Sequence, residues 1–244
     1  MVIFMLEIKN VFFKYGNQVA LRDCSCELSS GIYGILGHNG AGKSTFFKVL
    51  SGLLPPSSGK ILLDHKMDIY KMGAAWRKKI GYMPQQQGMY EDMTAWDFLM
   101  YIASLKCLSR REAECQLNLL LSLMHLDKDA YRRLGSFSGG MKQRVMVIQA
   151  LLGNPEYIFL DEPTVGLDPA EQLALCKYIQ TLGMSHTILW STHIVSDISD
   201  VADRIIFLRT GQIILESTVE GALSITQTSC LRDAYFACME GNND

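Results

Sequence analysis

The stretch Gly37-His-Asn-Gly-Ala-Gly42-Lys43-Ser44 constrains this chain more than any other, because it matches G-x-x-x-x-G-K-[ST] in the setting that motif requires. An apolar segment with strand character ends at Leu36, and a helix-forming stretch begins at Lys43. In that setting the glycines let backbone N–H groups turn inward around phosphates, and the helix N-terminus adds its positive end. Lys43 then reaches the β and γ oxygens, the Ser44 hydroxyl is placed to ligate Mg²⁺, and Thr45 assists at the α-phosphate. Gly37, Asn39, Gly40, Ala41 and Gly42 form the cradle with them. His38 fills a variable slot and belongs to the loop without a catalytic role.

A nucleoside triphosphate site also needs acids to hold magnesium and orient water. Tyr157-Ile-Phe-Leu160-Asp161-Glu162 supplies them at the end of a buried strand. Asp161 is suited to hold Mg²⁺ through its water shell, and Glu162 to accept a proton from the attacking water. Other short apolar runs at Thr187 to Trp190 and Ile205 to Leu208 fit a parallel sheet covered on both faces. Helices are expected between them, at Pro169 to Leu182 and Val195 to Asp203. Two early strands are expected at Met5 to Phe13 and Cys26 to Ile35, with a small exposed β lobe between Pro55 and Gly81. From Thr94 to Leu126 apolar residues recur at three and four, which predicts two helices broken near Ser109. The fold class is therefore α/β: a P-loop NTPase core with a mostly parallel sheet, an N-terminal antiparallel β lobe and an inserted helical subdomain.

Composition agrees. At 244 residues, with 48% hydrophobic and 20% charged, the chain can bury a large core, which excludes disorder and a small disulfide scaffold. Its 23 basic and 25 acidic side chains give a net charge of −2, so it carries no general footprint for nucleic acid. No apolar run approaches the roughly 18 to 20 residues that cross a bilayer. The opening Met1-Val-Ile-Phe-Met-Leu6 lacks a basic start and a cleavage site, and reads as part of a first strand. The number of cysteines, 7, is odd, and Cys24 and Cys26 have no second pair at zinc spacing, so reduced thiols are expected.

A third motif separates the classes of P-loop protein. Ser138-Gly-Gly140-Met-Lys-Gln143-Arg144 leads into an apolar helix, and Ser138, Gly139 and Gly140 make a second anion-binding nest. One chain already holds phosphates on its first nest, so the second is best explained as facing another subunit's nucleotide. With all three motifs in place the chain resembles the ATP-binding cassette family, as a transporter nucleotide-binding domain, from about residue 4 to 220. Phe137 stands where Leu is commonest and Met141 where Gln is frequent, and both leave Ser-Gly-Gly intact.

The resemblance implies further roles. Tyr15, in Phe13-Lys-Tyr15-Gly16, matches the aromatic that stacks on adenine. Gln85, after Gly81-Tyr-Met-Pro84, matches the glutamine that contacts magnesium or water and links the site to a membrane partner; Gln86 and Gln87 follow at once, leaving the register open by one. Asp168, in Gly166-Leu-Asp168, matches the loop that crosses a dimer axis, and is equally suited to cap the helix beginning near Pro169. His193, after Ser191-Thr192, matches the switch histidine at the γ-phosphate. The domain so implied runs over 1–220, with the helical subdomain at about 90–145 and a short tail at 221–244 containing a helix.

The implied activity is binding and hydrolysis of ATP with Mg²⁺ by a homodimer or paired cassette that drives an integral membrane permease, on the inner face of the cell membrane. In such a pair each phosphate loop faces the Ser138 nest of the other chain. A mixed edge of Met89, Tyr90, Glu91, Asp92 and Met93 suits docking of a permease helix. The segment Leu231-Arg-Asp-Ala-Tyr-Phe236 resembles the ending of exporter cassettes for drugs, antibiotics or peptides, and equally has the form of an amphipathic closing helix. Two rival readings remain: a soluble cassette protein of translation or DNA repair, and a P-loop kinase for a small molecule. The first is disfavoured by one cassette without a coiled-coil insertion and by the net charge, the second by the Ser138 nest and His193, which a kinase does not need.

Overall fold

The computed structural model describes residues 5–85 and 88–240. Met1 to Phe4 of the opening run, Gln86 and Gln87 beside Gln85, and the last four residues of the tail lie outside the described residues. Two sheets organise the chain. Strands β1 (Leu6–Tyr15), β2 (Gln18–Leu28), β4 (Ser58–Leu63) and β5 (Met67–Asp68) form an antiparallel sheet in the order β2-β1-β4-β5. Strands β3 (Gly31–Leu36), β6 (Ile80–Met83), β7 (Tyr157–Asp161), β8 (Thr187–Thr192), β9 (Arg204–Arg209) and β10 (Gln212–Thr218) form a second sheet in the order β10-β9-β3-β8-β7-β6. Within it β9, β3, β8, β7 and β6 run parallel, and only the edge strand β10 is antiparallel.

The unbroken apolar sequence of the central strands follows from cover on both faces. Successive side chains point to opposite sides, so Tyr157 and Phe159 enter one core while Ile158 and Leu160 enter the other. Leu189 and Trp190 divide in the same way, as do Ile206 and Phe207. One side carries the antiparallel sheet, helix α1 (Lys43–Leu50) and the short helices α2 (Ile69–Met72) and α3 (Ala74–Lys79). The other carries α4 (Ala95–Leu105), α5 (Arg110–Leu123), α6 (Gly139–Leu151) and α7 (Pro169–Gly183). Helices α8 (Val219–Thr226) and α9 (Leu231–Glu240) close the chain, with Tyr235 edge-on to Phe207 of β9 at 5.4 Å.

The helix break near Ser109 has a local cause. Ser109 caps α5 through a reciprocal box, its hydroxyl accepting from the Glu112 N–H while the Glu112 carboxylate accepts from the Ser109 N–H. Close approach of backbone is decided at Gly81 in β6, where a Cβ would lie 1.9 Å from the Ala150 carbonyl oxygen of α6. This contact seats α6, and with it the Ser138 nest, against the sheet.

Three expectations are corrected. The stretch 55–81 is not an exposed β lobe of its own: β4 and β5 join the sheet of β1 and β2, α2 and α3 follow with Ile69 and Trp76 buried, and β6 belongs to the parallel sheet. The segment Cys26 to Ile35 is not one strand: β2 ends at Leu28, Ser29 and Ser30 turn the chain, and β3 starts at Gly31 with φ +130 in the other sheet. The apolar residues on the two sides of Ser29-Ser30-Gly31 enter buried strands of different sheets, and that short polar cluster marks the change. Nor is Val195 to Asp203 a helix. A single 3₁₀ turn spans Val195–Asp197, and the bonds after it form separate turns, Ile198 and Ser199 N–H sharing the Val195 carbonyl and Val201 and Ala202 N–H the Ile198 carbonyl, before Asp203 leaves to pair with Ile32 of β3 through both its N–H at 2.9 Å and its carboxylate at 2.8 Å.

Candidate nucleotide-binding site

Strand β3 delivers Gly37 to Gly42 to the C-terminal edge of the parallel strands, where open α/β sheets hold their ligands. Gly40 and Gly42 have φ of +81 and +106, and Gly42 passes the chain directly into α1. At Gly42 a Cβ would lie 2.8 Å from the Ala20 carbonyl oxygen, so the loop can close only around glycine there. The Lys43 ammonium folds back over the loop, donating to the Gly37 carbonyl at 2.5 Å and the His38 carbonyl at 3.2 Å. Burial lowers the Lys43 pKa, and the nearby Glu162 and Asp161 carboxylates oppose that shift. His38 itself is exposed, with its ring on the Asn39 carbonyl, so it joins the loop through its main chain alone.

A cleft of about 490 Å³ opens over the loop. It brings together Tyr15, Asn39 to Thr45, Gln85 and Glu162, which the sequence singles out in separate places. Tyr15 is 45% exposed at its mouth, held edge-on by Phe13 at 4.9 Å. Arg22 and Thr210 also line it and were missed; nothing in their sequence setting marks them. They arrive because the turn after β9 is pinned to the phosphate loop, Gly211 N–H donating to the Ala41 carbonyl at 2.8 Å and Arg22 N–H to the Gly211 carbonyl at 2.7 Å.

Below the cleft lies the acidic pair. Asp161 is 1% exposed, one of its oxygens accepts from the Ser191 hydroxyl, and the Ser44 hydroxyl lies near enough to favour its charged form. Burial raises the Asp161 pKa against the pull of those two hydroxyls. Its other oxygen, Oδ2, is buried with no hydrogen-bond partner. An orphaned carboxylate oxygen beside a serine hydroxyl is a set of hard donors suited to magnesium. Glu162 follows at φ +54, a left-handed conformation unusual for a residue with a Cβ, and its carboxylate faces the cleft and His193 Nδ1 at 3.1 Å. Gln143, a buried polar side chain in the apolar helix α6, donates to the Glu162 carbonyl at 2.8 Å. In the sequence it stands between Lys142 and Arg144, and nothing there marks it as the buried one of the three.

The second nest lies elsewhere. Ser138 is exposed at the N-terminus of α6, its hydroxyl accepting from Met141 N–H at 3.2 Å, and neither it nor Gly139 lines the cleft. Gly140 is pressed against the next loop: a Cβ there would lie 2.5 Å from the Gly166 carbonyl oxygen. Asp168 caps α7, accepting from Glu171 N–H at 2.9 Å, while Glu171 bridges to Arg144 of α6 at 2.9 Å. Ser138 and Asp168 thus sit on one connected surface, apart from the cleft that the same chain forms.

The family model for the ABC transporter matches residues 21–165. The chain is 34% identical to the uncharacterized ABC transporter ATP-binding protein YxlF of Bacillus subtilis, over 97% of this chain and 79% of that protein. It is 33% identical to the lantibiotic transport ATP-binding protein SrtF of Streptococcus pyogenes, over 91% of this chain and 95% of that protein. Among solved structures it resembles an ATP-binding subunit of an ABC transporter, with TM-score 0.89, 29% identity and coverage of 96% and 99% of the two chains. It also resembles a dimeric ATP-binding cassette in a post-hydrolysis state with ADP and Pi, with TM-score 0.78, 25% identity and coverage of 87% and 98%. These findings favour the transporter reading over translation, repair or kinase roles. No helix among the described residues is long and apolar enough to cross a membrane. With phosphate loop, acidic pair and second nest held on a parallel sheet of this order, the chain belongs to the ABC transporter family, as an ATP-hydrolysing cassette.

Proposed function

We propose that this cassette works as half of a head-to-tail pair that drives a separate membrane permease in export, from the inner face of the membrane. The observation that carries the pairing is the separation of the Ser138 surface from the nucleotide cleft of its own chain. Two-fold symmetry then places each Ser138, Gly139 and Gly140 nest opposite the other chain's Gly37 to Thr45 loop, with Asp168 near the axis. The γ-phosphate contacts both chains, so ATP holds the pair shut and its hydrolysis releases it.

In each composite site Lys43 and the loop amides hold the phosphates, Tyr15 stacks on the base, Glu162 takes the proton from the attacking water, and His193 reaches the γ-phosphate. Ser44, Asp161 and Gln85 would hold magnesium, which when bound neutralises charge on the β and γ oxygens. Because Tyr15 acts on the base and not on the reacting phosphate, Tyr15→Ala weakens ATP binding by about 5- to 150-fold with turnover at saturation little changed, while Tyr15→Phe binds as wild type. Titration with a fluorescent ATP analogue checks both.

Export is favoured by the lantibiotic transport role in the name of SrtF and by the helix that Leu231 begins. The docking edge has Tyr90 exposed, edge-on to Tyr101 at 6.1 Å and tilted against Phe98 at 6.4 Å, with Glu91 paired to Lys142 at 3.0 Å. A short basic permease helix would compete for those acids. Charge reversal at Glu91 and Asp92 is expected to lower recovery of an integral membrane protein with the tagged cassette by about tenfold, the scale of losing one good interfacial charge pair. Recovery of no membrane protein by the wild-type chain would count against the transporter partner.

A further inference from the structure

Strand β8 lies between β3, which carries the phosphate loop, and β7, which carries the acidic pair, so a residue near its end can touch both. In the register Ser191 stands beside Ile35 on one flank and Asp161 on the other, and it is 0% exposed. Its hydroxyl makes two bonds with distinct directions. It donates to Asp161 Oδ1 at 2.5 Å, and it accepts from the Glu162 N–H at 3.2 Å. The Ser191 carbonyl takes a share of that same N–H at 3.1 Å.

These bonds act on two different groups of the site. Occupying Oδ1 fixes the Asp161 carboxylate in one rotamer and leaves Oδ2 as its free oxygen. Holding the Glu162 N–H keeps that residue at φ +54, where a side chain with a Cβ does not rest unaided. Gln143 grips the Glu162 carbonyl, so the residue is tied on both sides of its Cα. We infer that Ser191 is a positioning residue, which through one hydroxyl sets the metal-facing oxygen of Asp161 and the aim of the Glu162 carboxylate together. It does not itself line the nucleotide cleft. This inference rests on the roles given above to Asp161 and Glu162.

The hydroxyl alternates between no other partners among the described residues, and the isosteric thiol separates its bonding from its bulk. A thiol fills the space of the hydroxyl and is a weak donor. Both Ser191→Ala and Ser191→Cys should therefore lower turnover by about 10- to 100-fold, the effect of removing a hydrogen bond to a charged group, with KM for the magnesium–ATP complex rising in step with any loss of metal affinity. A second readout does not depend on turnover: binding of Mn²⁺ to the protein with a non-hydrolysable ATP analogue, followed by electron paramagnetic resonance. Both variants should bind Mn²⁺ about 5- to 50-fold more weakly, while affinity for the analogue without metal stays as in wild type. Thermal unfolding of Ser191→Cys close to wild type shows that the fold is intact.

A Ser191→Cys protein with normal turnover and normal Mn²⁺ binding would overturn the inference, since bulk alone would then suffice. Reduced turnover with unchanged Mn²⁺ binding would overturn the joint role and leave Ser191 acting on Glu162 alone. Glu162→Gln run in parallel separates the two failures: if that protein hydrolyses ATP normally, the reading of the acidic pair is wrong, whatever Ser191 does.

Discussion

Glu162→Gln should lower ATP turnover by roughly 10²- to 10⁴-fold, the usual worth of a positioned general base, and leave ATP binding at the wild-type level. The amide has nearly the shape of the carboxylate and keeps the left-handed backbone that Ser191 and Gln143 hold. It cannot take a proton from water. The Lys43 and phosphate-loop contacts do not involve the Glu162 side chain directly, so the nucleotide should remain bound. Phosphate release under saturating ATP, with nucleotide binding measured in parallel, checks both halves. Normal turnover would remove Glu162 from the role of base.

In that arrested background ATP should accumulate in the closed pair, so the protein should elute as a dimer with ATP and as a monomer without it. Adding Ser138→Arg should abolish the ATP-dependent dimer, weakening association by roughly 30-fold or more, the scale of about 2 kcal/mol lost at a central contact. ATP binding by the monomer should be unaffected, because Ser138 does not line the cleft of its own chain. If the second nest instead served the same chain's nucleotide, this substitution would reduce ATP binding and leave no separate effect on dimerisation. The two outcomes are distinct in one experiment of gel filtration with a nucleotide titration.

What could be read from the sequence follows from how each feature is built. A phosphate cradle needs consecutive backbone N–H groups, so Gly37 to Thr45 had to be contiguous and were legible at once. Asp161 and Glu162 were legible because an apolar strand ends in acids, and Ser138-Gly-Gly because it opens a helix. Ser109 marked the break between α4 and α5 for the same local reason, a cap that bonds three residues ahead. Helix Val195 to Asp203 failed because the segment breaks into separate backbone turns and its last residue, Asp203, pairs with Ile32 of a distant strand through main chain and carboxylate. The strand over Cys26 to Ile35 failed because Cys26, Leu28, Tyr33 and Ile35 all enter one core although Ser29-Ser30-Gly31 turns the chain between two sheets.

By itself, then, the sequence determined the elements whose chemistry is local: the phosphate loop, the acidic strand end, the second nest, and the alternation that requires a covered parallel sheet. The tertiary structure alone decided which residues meet across it. Strand order put β8 between the two motif strands and made Ser191 a partner of Asp161 and Glu162, 30 and 29 residues away. Helix packing brought Gln143 to the Glu162 carbonyl, and the turn at Gly211 carried Arg22 and Thr210 to the cleft. Such contacts depend on register and on the approach of separate elements, and those are set by the burial of the whole core, which no short stretch of sequence encodes.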